Sequence, residues 1–370
     1  MYISSFTWAF ILYNDILSNM KKKVFLALSG GIDSSVSTYL LFKEGYDVTG
    51  VFFKNIDPNS CAGQYLEHEE DIARSVADFL DIPFLSISLI DEFKDLVINP
   101  FIEKYSKGLT PNPCINCNRD FKFSLFAKEC FNRGAQYIAT GHYAQTKNGK
   151  LYKSKDLDKD QSYFLNQLTS NILKKTIFPI GNLTKKEVRN IAKKLDLPSK
   201  EKKDSQQICF LKGITVQDYL KNSIKSKQGD IVDIDTEKVV GKHDGIFNYT
   251  LGQRKGIDIG GLDKPYFVCE RDLEKNILFV AKGRKNNALW KDTFLVKDFH
   301  FINKSNIGSE KKLKAVIRYH SEEVPTTIEW DGNSGRFTLK HEVWLPSEGQ
   351  SLVLYSGKEC LGGGEITKID

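Results

Sequence analysis

Hydrophobic positions in the first part of the chain switch between short continuous runs and helical spacing. Continuous runs at 23–28 and 47–53 predict buried strands, and the spacing over 34–44 predicts a helix that ends at Gly45. The alternation continues with a predicted helix at 69–80 and predicted strands at 84–88 and 137–140. Because strands that alternate with helices pair in parallel, we expect an α/β domain with a parallel sheet over 21–213.

The pattern changes after about Gly213, where helical spacing fades. Short β-prone runs between Gly and Asp turns predict a small β-rich central domain over 214–289. Its predicted strands are 230–235, 239–241, 245–252 and 266–270. From Trp290 onward, longer runs with tight turns predict a C-terminal β-barrel over 290–370. Its predicted strands are 293–299, 312–320, 326–330, 336–341 and 350–355.

Composition and charge narrow the class of protein only slightly. The chain has 370 residues, 41% of them hydrophobic, and a formal net charge of +6, which is compatible with a polyanionic partner. The seven cysteines are odd in number and irregular in spacing, which argues against a secreted disulfide framework and favours a reducing, cytoplasmic compartment. The apolar run 8–13 is too short to span a bilayer and follows no basic segment. We therefore expect no membrane partner and assign no role to the extension 1–20.

A glycine- and serine-rich segment at 27–35, ALSGGIDSS, lies between a predicted strand and a predicted helix. Two glycines let the backbone approach an anion, and the helix amino terminus supplies free N–H groups and a positive dipole end. The segment lacks the Gly-Lys-Ser/Thr of a Walker A loop and the GxGxxG of a dinucleotide fold. It predicts a phosphate site, and the alternative is a plain turn in which Asp33 or Ser34 lies near an N-cap.

Two separate segments carry cysteines whose neighbours would fix the position of a thiol or make it reactive. The stretch 110–118, TPNPCINCN, is predicted to be a loop stiffened by its two prolines, and it presents Cys114 and Cys117. Cys209 follows Lys202 and Lys203, whose charge favours a reactive thiolate. Taken alone, a single CxxC is a poor zinc signal, and a lone cysteine is as often a small buried hydrophobe. The remaining cysteines have no reactive context and are predicted to be structural: Cys61, Cys130, Cys269 and Cys360.

Several segments in a fixed order resemble one enzyme family. SGGIDSS is similar to the PP-loop of ATP pyrophosphatases, and it is followed by TPNPCINCN, FKF, ATGHYA, KDQSYFL, FPIG, KKEVRNIAKK, KKDSQQICF, YTLGQRKG and ECLGGGEI. Together they resemble the tRNA-specific 2-thiouridylases from about Lys21 to the end of the chain. The resemblance implies a PP-loop fold with a central domain and a barrel, and an enzyme that uses ATP and Mg²⁺ to thiolate the wobble uridine, U34, of tRNA.

The resemblance also implies a role for each matching residue. Cys117 matches the nucleophile and Cys209 the persulfide carrier, with a transient Cys117–Cys209 disulfide. The ATP contacts are Ala27, Leu28, Ser29, Gly30, Gly31, Ile32, Asp33, Ser34, Phe53 and Gly141. The target-base contacts are Asn112, Pro113 and Cys114. The tRNA contacts are His142, Lys159, Asp160, Gln161, Arg318, Tyr319 and Gln350.

The implied reaction begins when the 2-oxygen of a flipped-out uridine attacks the α-phosphorus of ATP and releases pyrophosphate. A sulfur-relay protein or cysteine desulfurase loads Cys209 as a persulfide. Either Cys117 attacks this persulfide, or its terminal sulfur attacks C2 directly. AMP leaves, 2-thiouridine forms, and the disulfide remains for reduction.

Other interpretations stay open at this point. Some family members have Asp where this chain has Cys114. If that carboxylate acts as a general base, its role here is unfilled or differently filled, and a thiolate can substitute only if its pKa is lowered. Cys114, Cys117 and Cys209 could instead bind an iron–sulfur cluster as three thiolates. The chain could also be a different AMP-forming PP-loop synthetase, which would not need the thiols. A non-catalytic RNA-binding protein with a CxxC metal knuckle would not need SGGIDSS.

Overall fold

The computed structural model describes residues 21–58, 63–203, 208–221, 223–257, 259, 264–303, 312–330 and 334–369. The extension 1–20 lies outside these ranges. So do Cys61, which was predicted to be structural, and residues 204–207 of the segment before Cys209.

The first part of the chain builds a parallel sheet, as its hydrophobic pattern predicts. Its strands are β1 Lys23–Ala27, β2 Asp47–Lys54, β3 Phe84–Ser88, β4 Tyr137–Ala139 and β7 Thr176–Ile177, in the order β3-β2-β1-β4-β7. Helix α1, Ile32–Lys43, follows β1, and helix α2, Gly63–Phe79, follows β2 and begins six residues earlier than predicted. Val24 and Leu26 of β1 are fully buried, which explains why the sequence reads as a continuous apolar run there.

Further, mostly short helices follow along the chain. They are α3 Ile90–Phe93, α4 Asn99–Ser106, α5 Pro113–Asn116, α6 Ala127–Asn132, α7 Ser170–Leu173, α8 Lys185–Lys194 and α9 Val216–Lys221. Two stretches have the wider π-helical winding: Lys94–Ile98 joins α3 to α4, and Cys117–Phe126 joins α5 to α6. Single 3₁₀ turns occur at Ser162–Leu165, Cys209–Leu211, Ile246–Asn248 and Asn287–Leu289. Within the described ranges, none of these helices has the length and apolar content needed to cross a membrane.

The predicted loop over 110–118 is wrong beyond Asn112, because a helix begins there. Pro113 is the first residue of α5, a position where its missing N–H costs nothing and its fixed φ suits the helix. The Asn112 side chain accepts a hydrogen bond from the Cys114 backbone N–H at 3.1 Å and caps this helix.

The central region forms a four-stranded sheet in the order β10-β11-β8-β9. Its strands are β8 Gly229–Asp233, β9 Val239–His243, β10 Tyr266–Asp272 and β11 Ile277–Lys282. The predicted strand at 245–252 is wrong: Gly245 has φ +145°, and the chain turns through Ile246–Asn248 instead. Strand β11 was not predicted.

The C-terminal region closes into a six-stranded antiparallel barrel, which confirms the predicted architecture. Its strands are β12 Trp290–Phe301, β13 Leu313–Val316, β14 Val324–Trp330, β15 Ser334–Trp344, β16 Ser351–Ser356 and β17 Glu359–Ile369, and β12 pairs with both β15 and β17. Strand β17 was not predicted because three consecutive glycines interrupt it. Gly362 has φ +144°, and a Cβ there would lie 1.9 Å from the His300 carbonyl oxygen, so only glycine permits this closure.

A hairpin from the first part of the chain extends the barrel sheet. Strands β5, Ala144–Lys147, and β6, Lys150–Lys153, follow β4, and β6 pairs antiparallel with β17. The Lys153 ammonium lies 4.1 Å from the centre of the Tyr355 ring in β16 and forms an ion pair with Glu323. The PP-loop region and the barrel therefore share one sheet, while the domain division at 213 and 289 stays a prediction.

We predict that Leu151→Ala destabilises the barrel as well as the first domain. Leu151 in β6 is fully buried and pairs with Cys360 of β17, so truncation leaves a cavity that costs about 2–5 kcal/mol. Denaturant unfolding followed by tryptophan fluorescence measures this effect, because three of the four tryptophans, Trp290, Trp330 and Trp344, lie in the C-terminal region. Leu157→Ala, at a leucine that is 61% exposed, is the control and should leave the midpoint unchanged. An unshifted midpoint in Leu151→Ala would contradict the shared sheet.

Candidate active site

A cavity of about 960 Å³ opens where the carboxyl ends of β1, β2 and β4 meet the thiol-bearing helix and the barrel. Parallel strands of an open α/β sheet place their ligand sites at this edge. The segment after β1, the Cys114–Cys117 helix turn, the Cys209 turn and the barrel residue Gln350 all contribute to the wall. Segments that are far apart in sequence therefore face one space.

The glycine- and serine-rich segment forms a compact turn ahead of α1. The Ser34 hydroxyl donates to the Gly31 carbonyl at 2.9 Å and accepts from the Ser29 backbone N–H at 3.3 Å. The two hydroxyl groups of Ser29 and Ser34 lie 3.2 Å apart. No side chain caps α1 at Gly31, so the first N–H groups of the helix stay free for an anion in the cavity. Gly31 is the N-cap, and Asp33 and Ser34 lie next to it in the first turn of α1.

Two glycines allow close backbone contacts around this turn. Gly30 has φ +73°, and a Cβ there would lie 2.4 Å from the carbonyl oxygen of Glu69 in α2. A Cβ on Gly141, just after β4, would lie 2.8 Å from the backbone nitrogen of Ser34. Both contacts tie the start of α1 to its neighbours, and any larger residue would push the phosphate turn out of place.

Asp33 is held by two residues from distant segments. Its carboxylate accepts from the Lys185 ammonium at 2.7 and 2.8 Å and from the Tyr143 hydroxyl at 2.8 Å. Lys185 is the first residue of α8, and the capping box of Thr184 with Glu187 fixes that helix start. The carboxylate of Asp33 therefore has a fixed direction at the cavity wall.

The barrel holds the segment that leads into the two thiols. The Thr110 backbone N–H donates to the Glu348 carbonyl at 2.8 Å, and the Gln350 side-chain amide donates to the Thr110 carbonyl at 2.7 Å. From there Asn112 caps α5. The position of Cys114 and Cys117 is thus set by contacts to the C-terminal part of the chain.

Cys209 lies on a short 3₁₀ turn that α2 holds in place. Glu69 in α2 forms ion pairs with Lys202 and Lys212, one on each side of Cys209, and the Lys212 pair measures 2.9 Å. The Cys209 side chain is exposed to the cavity. The same helix contacts Gly30, so α2 connects the Cys209 segment to the phosphate turn.

The structure corrects the expectation that Lys202 and Lys203 promote a thiolate at Cys209. Although the Cys209 side chain opens onto the cavity, the protein around the cavity desolvates its sulfur and raises its pKa, and the opposing cations are Lys122 and Lys212. Burial likewise raises the pKa of Cys117 to about 12, and burial together with Cys209 raises the pKa of Cys114 to about 11. At all three cysteines the raised pKa favours the thiol over the thiolate.

Most of the residues singled out from the sequence line this one cavity. They are Ala27, Leu28, Ser29, Gly31, Ile32, Asp33, Ser34, Phe53, Asn112, Pro113, Cys114, Cys117, Gly141, His142, Lys159, Gln161, Cys209, Tyr319 and Gln350. Burial holds the pKa of His142 well below its ordinary value, so the ring is neutral, and it contacts the Thr140 hydroxyl at 2.6 Å.

Gly30, Asp160 and Arg318 do not line the cavity. Gly30 packs against the backbone carbonyl of Glu69 in α2 instead. The Asp160 carboxylate accepts from the Ser154 backbone N–H at 2.8 Å and from the Ser162 hydroxyl at 2.6 Å, so it organises the loop that carries Lys159. The Arg318 guanidinium donates to the Leu345 carbonyl at 3.1 Å at the barrel end. Their proposed contacts to ATP or tRNA remain predictions.

Three residues that sequence reasoning did not single out contribute to the site: Tyr143 and Lys185, which hold Asp33, and Lys122, which affects the thiols. Each lies inside a motif of the family resemblance, ATGHYA, KKEVRNIAKK and FKF, so the motifs contained a signal that residue chemistry alone did not. Within the described ranges, no three His, Cys, Asp or Glu side chains converge closely enough to hold a metal ion.

Family models match all three regions of the chain. A model described as the tRNA methyl transferase HUP domain matches residues 22–213, the tRNA methyl transferase PRC-barrel domain matches 217–282, and the aminomethyltransferase beta-barrel domain matches 291–366.

Curated relatives match over nearly the whole length. A tRNA-specific 2-thiouridylase MnmA of Mycoplasmopsis synoviae is 41% identical over 367 residues, covering 95% of this chain and 97% of the relative. The MnmA of Mycoplasma capricolum is 41% identical over 373 residues, covering 95% and 100%. The MnmA 1 of Geobacillus kaustophilus is 42% identical over 362 residues, covering 95% and 97%. With this identity over the full length and this arrangement of phosphate turn and thiols, the chain belongs to the tRNA-specific 2-thiouridylase family.

Proposed function

We propose that this protein is a tRNA-uridine 2-sulfurtransferase that activates the 2-oxygen of a tRNA uridine with ATP and replaces it with sulfur. One observation carries the proposal: a single cavity brings an uncapped helix amino terminus together with three thiols from two separated segments. Residues 21–213 would supply the chemistry, and the central domain, 214–289, and barrel, 290–370, would supply contacts to tRNA.

The phosphate turn is the proposed ATP site. Free N–H groups at the start of α1 and the hydroxyl of Ser29 suit a polyphosphate, and the positive end of the helix dipole adds to this attraction. Mg²⁺ usually binds through substrate phosphates, water and one or two carboxylates, and Asp33 is the carboxylate of this turn. The ion would neutralise phosphate charge. Uridine O2 then bonds to the α-phosphorus as the bond to pyrophosphate breaks.

Sulfur transfer is proposed to use Cys209 and Cys117. A persulfide donor, whether a sulfur-relay protein or a cysteine desulfurase, converts the Cys209 thiol to Cys209–S–SH. In one route Cys117 attacks Sγ of Cys209 and releases hydrosulfide, which displaces AMP from C2. In the other, the terminal sulfur displaces AMP first, and Cys117 then breaks the S–S bond. Both routes end with 2-thiouridine, AMP and a Cys117–Cys209 disulfide, which a reductant must reopen.

The exposure of Cys209 favours it as the sulfur acceptor. Cys209 is exposed to the cavity, whereas Cys117 is 8% exposed, so an incoming persulfide reaches Cys209 more readily.

The wobble uridine at position 34 of tRNA is the proposed target nucleotide. A flipped base would lie against Asn112, Pro113 and Cys114, which line the same cavity.

Two rival functions differ in what they require. An amide-forming PP-loop synthetase needs the phosphate turn but no cysteines at the cavity, and sulfur incorporation excludes it. A non-catalytic RNA-binding protein needs no phosphate turn, and tRNA-dependent pyrophosphate release excludes it. Mass analysis of tRNA nucleosides after incubation with ATP, Mg²⁺ and a persulfide donor tests the proposed function directly.

We predict that Asp33→Asn lowers tRNA-dependent pyrophosphate release by about 100-fold or more, as expected when a preorganised charged group is lost from a reacting site. The substitution removes the charge that Lys185 and Tyr143 hold at the phosphate turn. Asp78→Asn, at an exposed position of α2, is the control. Undiminished pyrophosphate release in Asp33→Asn would remove the phosphate turn from the ATP site.

We predict that the three thiols have separable roles. Cys209→Ser should release pyrophosphate with tRNA but carry no persulfide and form no 2-thiouridine. Cys117→Ser should accept sulfur on Cys209 yet fail to complete transfer, because the resolving thiol is absent. Persulfide labelling and nucleoside mass analysis measure both steps.

Cys114→Ser is the discriminating variant for the same assay. It should keep at least part of the thiolation activity if two thiols suffice. A complete loss in Cys114→Ser, with iron and sulfide in protein purified without oxygen, would instead identify an iron–sulfur enzyme that uses all three thiols.

We predict that Arg318→Ala weakens tRNA binding and reduces the slope of log K against log salt by about one, as expected for the loss of one phosphate contact. Arg318 is exposed at the barrel end, next to the cavity residues Tyr319 and His320. Lys340→Ala, on an exposed position of β15 outside the cavity, is the control. An unchanged slope in Arg318→Ala would mean that this arginine makes no phosphate contact.

A further inference from the structure

We propose that Lys122 is a positioning residue for sulfur transfer, whose ammonium group stabilises the anionic sulfurs of Cys117 and Cys209. The proposal deepens the proposed function and rests on it for the reaction served, but its first test needs neither tRNA nor ATP. It stands on three observations: the winding of one helix, the lack of a carboxylate partner for Lys122, and the shared cavity.

The π-helical winding brings Lys122 to the side of Cys117. These residues are five apart in the stretch Cys117–Phe126, and a π-helix joins residues five apart by its hydrogen bonds. Side chains at that spacing therefore lie one turn apart on the same side. In an α-helix, at 3.6 residues per turn, the same spacing would separate them by about 140°. Both residues line the cavity, as this geometry requires.

Lys122 differs from three other lysines of the cavity wall, because those three form ion pairs with carboxylates. Lys185 pairs with Asp33, and both Lys202 and Lys212 pair with Glu69. Among the described residues, no carboxylate lies within ion-pair distance of Lys122. A partly buried cation without a counter-ion is costly, so an anion that arrives in the cavity gains an attraction that the paired lysines do not offer.

The groups that this cation faces are sulfurs. Lys122 lowers the pKa of Cys114, Cys117 and Cys209, and at Cys117 and Cys209 it is the strongest influence that opposes burial. It also contributes to the lowered pKa of His142, which keeps that ring neutral.

Other charged groups around the thiols cannot replace Lys122. Asp120 raises the pKa of Cys117 and is paired with Arg119. Cys209 raises the pKa of both Cys114 and Cys117, and Cys114 raises that of Cys117. Lys212 assists only Cys209 and is paired with Glu69. Lys122 alone among these cations acts on all three sulfurs. It can therefore stabilise the negative charge on whichever sulfur carries it as the reaction proceeds.

The direct test is the pH profile of cysteine alkylation in the full-length protein. Iodoacetamide labelling resolved by peptide mass spectrometry gives separate rates for Cys209 and Cys117. In Lys122→Met the rate at Cys209 should fall by about tenfold at about pH 8 and recover at higher pH, which corresponds to a rise of about one pKa unit. Lys122→Arg should restore most of the rate, because it keeps the charge. Lys128→Met, on an exposed position of α6, should match the wild type.

A second readout links Lys122 to turnover. In single-turnover assays, Lys122→Met should slow 2-thiouridine formation more than it slows pyrophosphate release, because the sulfur step depends on the anion. Lys122→Gln, which keeps length and polarity, replaces Lys122→Met if circular dichroism shows that the latter is unfolded.

The outcomes separate this proposal from its alternatives. An unchanged alkylation profile with weakened ATP or tRNA binding would make Lys122 a phosphate contact and overturn the proposal. If the alkylation profile shifts in Lys122→Met but the wild-type protein makes no 2-thiouridine, the proposed function is overturned. The interaction of Lys122 with the thiols then still stands.

Discussion

Two hydrogen bonds between Thr110 and the barrel position the segment that carries Cys114 and Cys117. The turn before β16 presents the Glu348 carbonyl to the Thr110 N–H and the Gln350 side-chain amide to the Thr110 carbonyl, so it holds both sides of this one residue. Gly349 has φ +88°, and a Cβ there would lie 2.9 Å from the Thr110 nitrogen, so the turn can approach this closely only without a side chain. The phosphate turn is positioned separately, by the close backbone contact between Gly141 and the start of α1. Reacting atoms must come within about 3–3.5 Å, so both anchors have to hold at once.

The same enclosure that positions the sulfurs also protects them. Desolvation raises the pKa of the three thiols, and a neutral thiol is a poorer nucleophile and a poorer target for oxidants than a thiolate. Reactivity then depends on what the cavity contains. Glu69 adds a physical link, because its backbone contacts Gly30 while its carboxylate holds the lysines on either side of Cys209. A shift of α2 would move the ATP turn and the sulfur carrier together.

Much of the fold could be predicted from the sequence because local pattern and tertiary structure agree there. The continuous apolar run at β1 is buried on both faces, and the barrel strands alternate with tight turns. Strand β17 was not predicted, because its glycines allow a close contact with β12 and the local sequence pattern does not show that contact. The helix at Pro113 was not predicted because proline was taken as a loop former, although it is well suited to the first turn of a helix.

For the site, the sequence motifs indicated which segments matter but not which charges face each other. Lys202 and Lys203 are neighbours of Cys209 in sequence, yet the cations that act on its sulfur are Lys122 and Lys212. Spatial partners of this kind depend on helix winding and on salt bridges between distant elements. The partners of Asp33 show the same limit, since Tyr143 and Lys185 lie more than a hundred residues away.

The pairing of β6 with β17 has a consequence for the order in which the protein is made. Leu151 and Tyr152 find their strand partners in Cys360 and Glu359, more than two hundred residues later. Domains generally begin to fold from the N-terminus during synthesis, so the hairpin forms while its edge still has no neighbour. An exposed strand edge is a template for pairing with other chains. Until the ribosome releases the last strand, each nascent chain carries an open edge, and a premature stop codon just before β17 would leave that edge open for good.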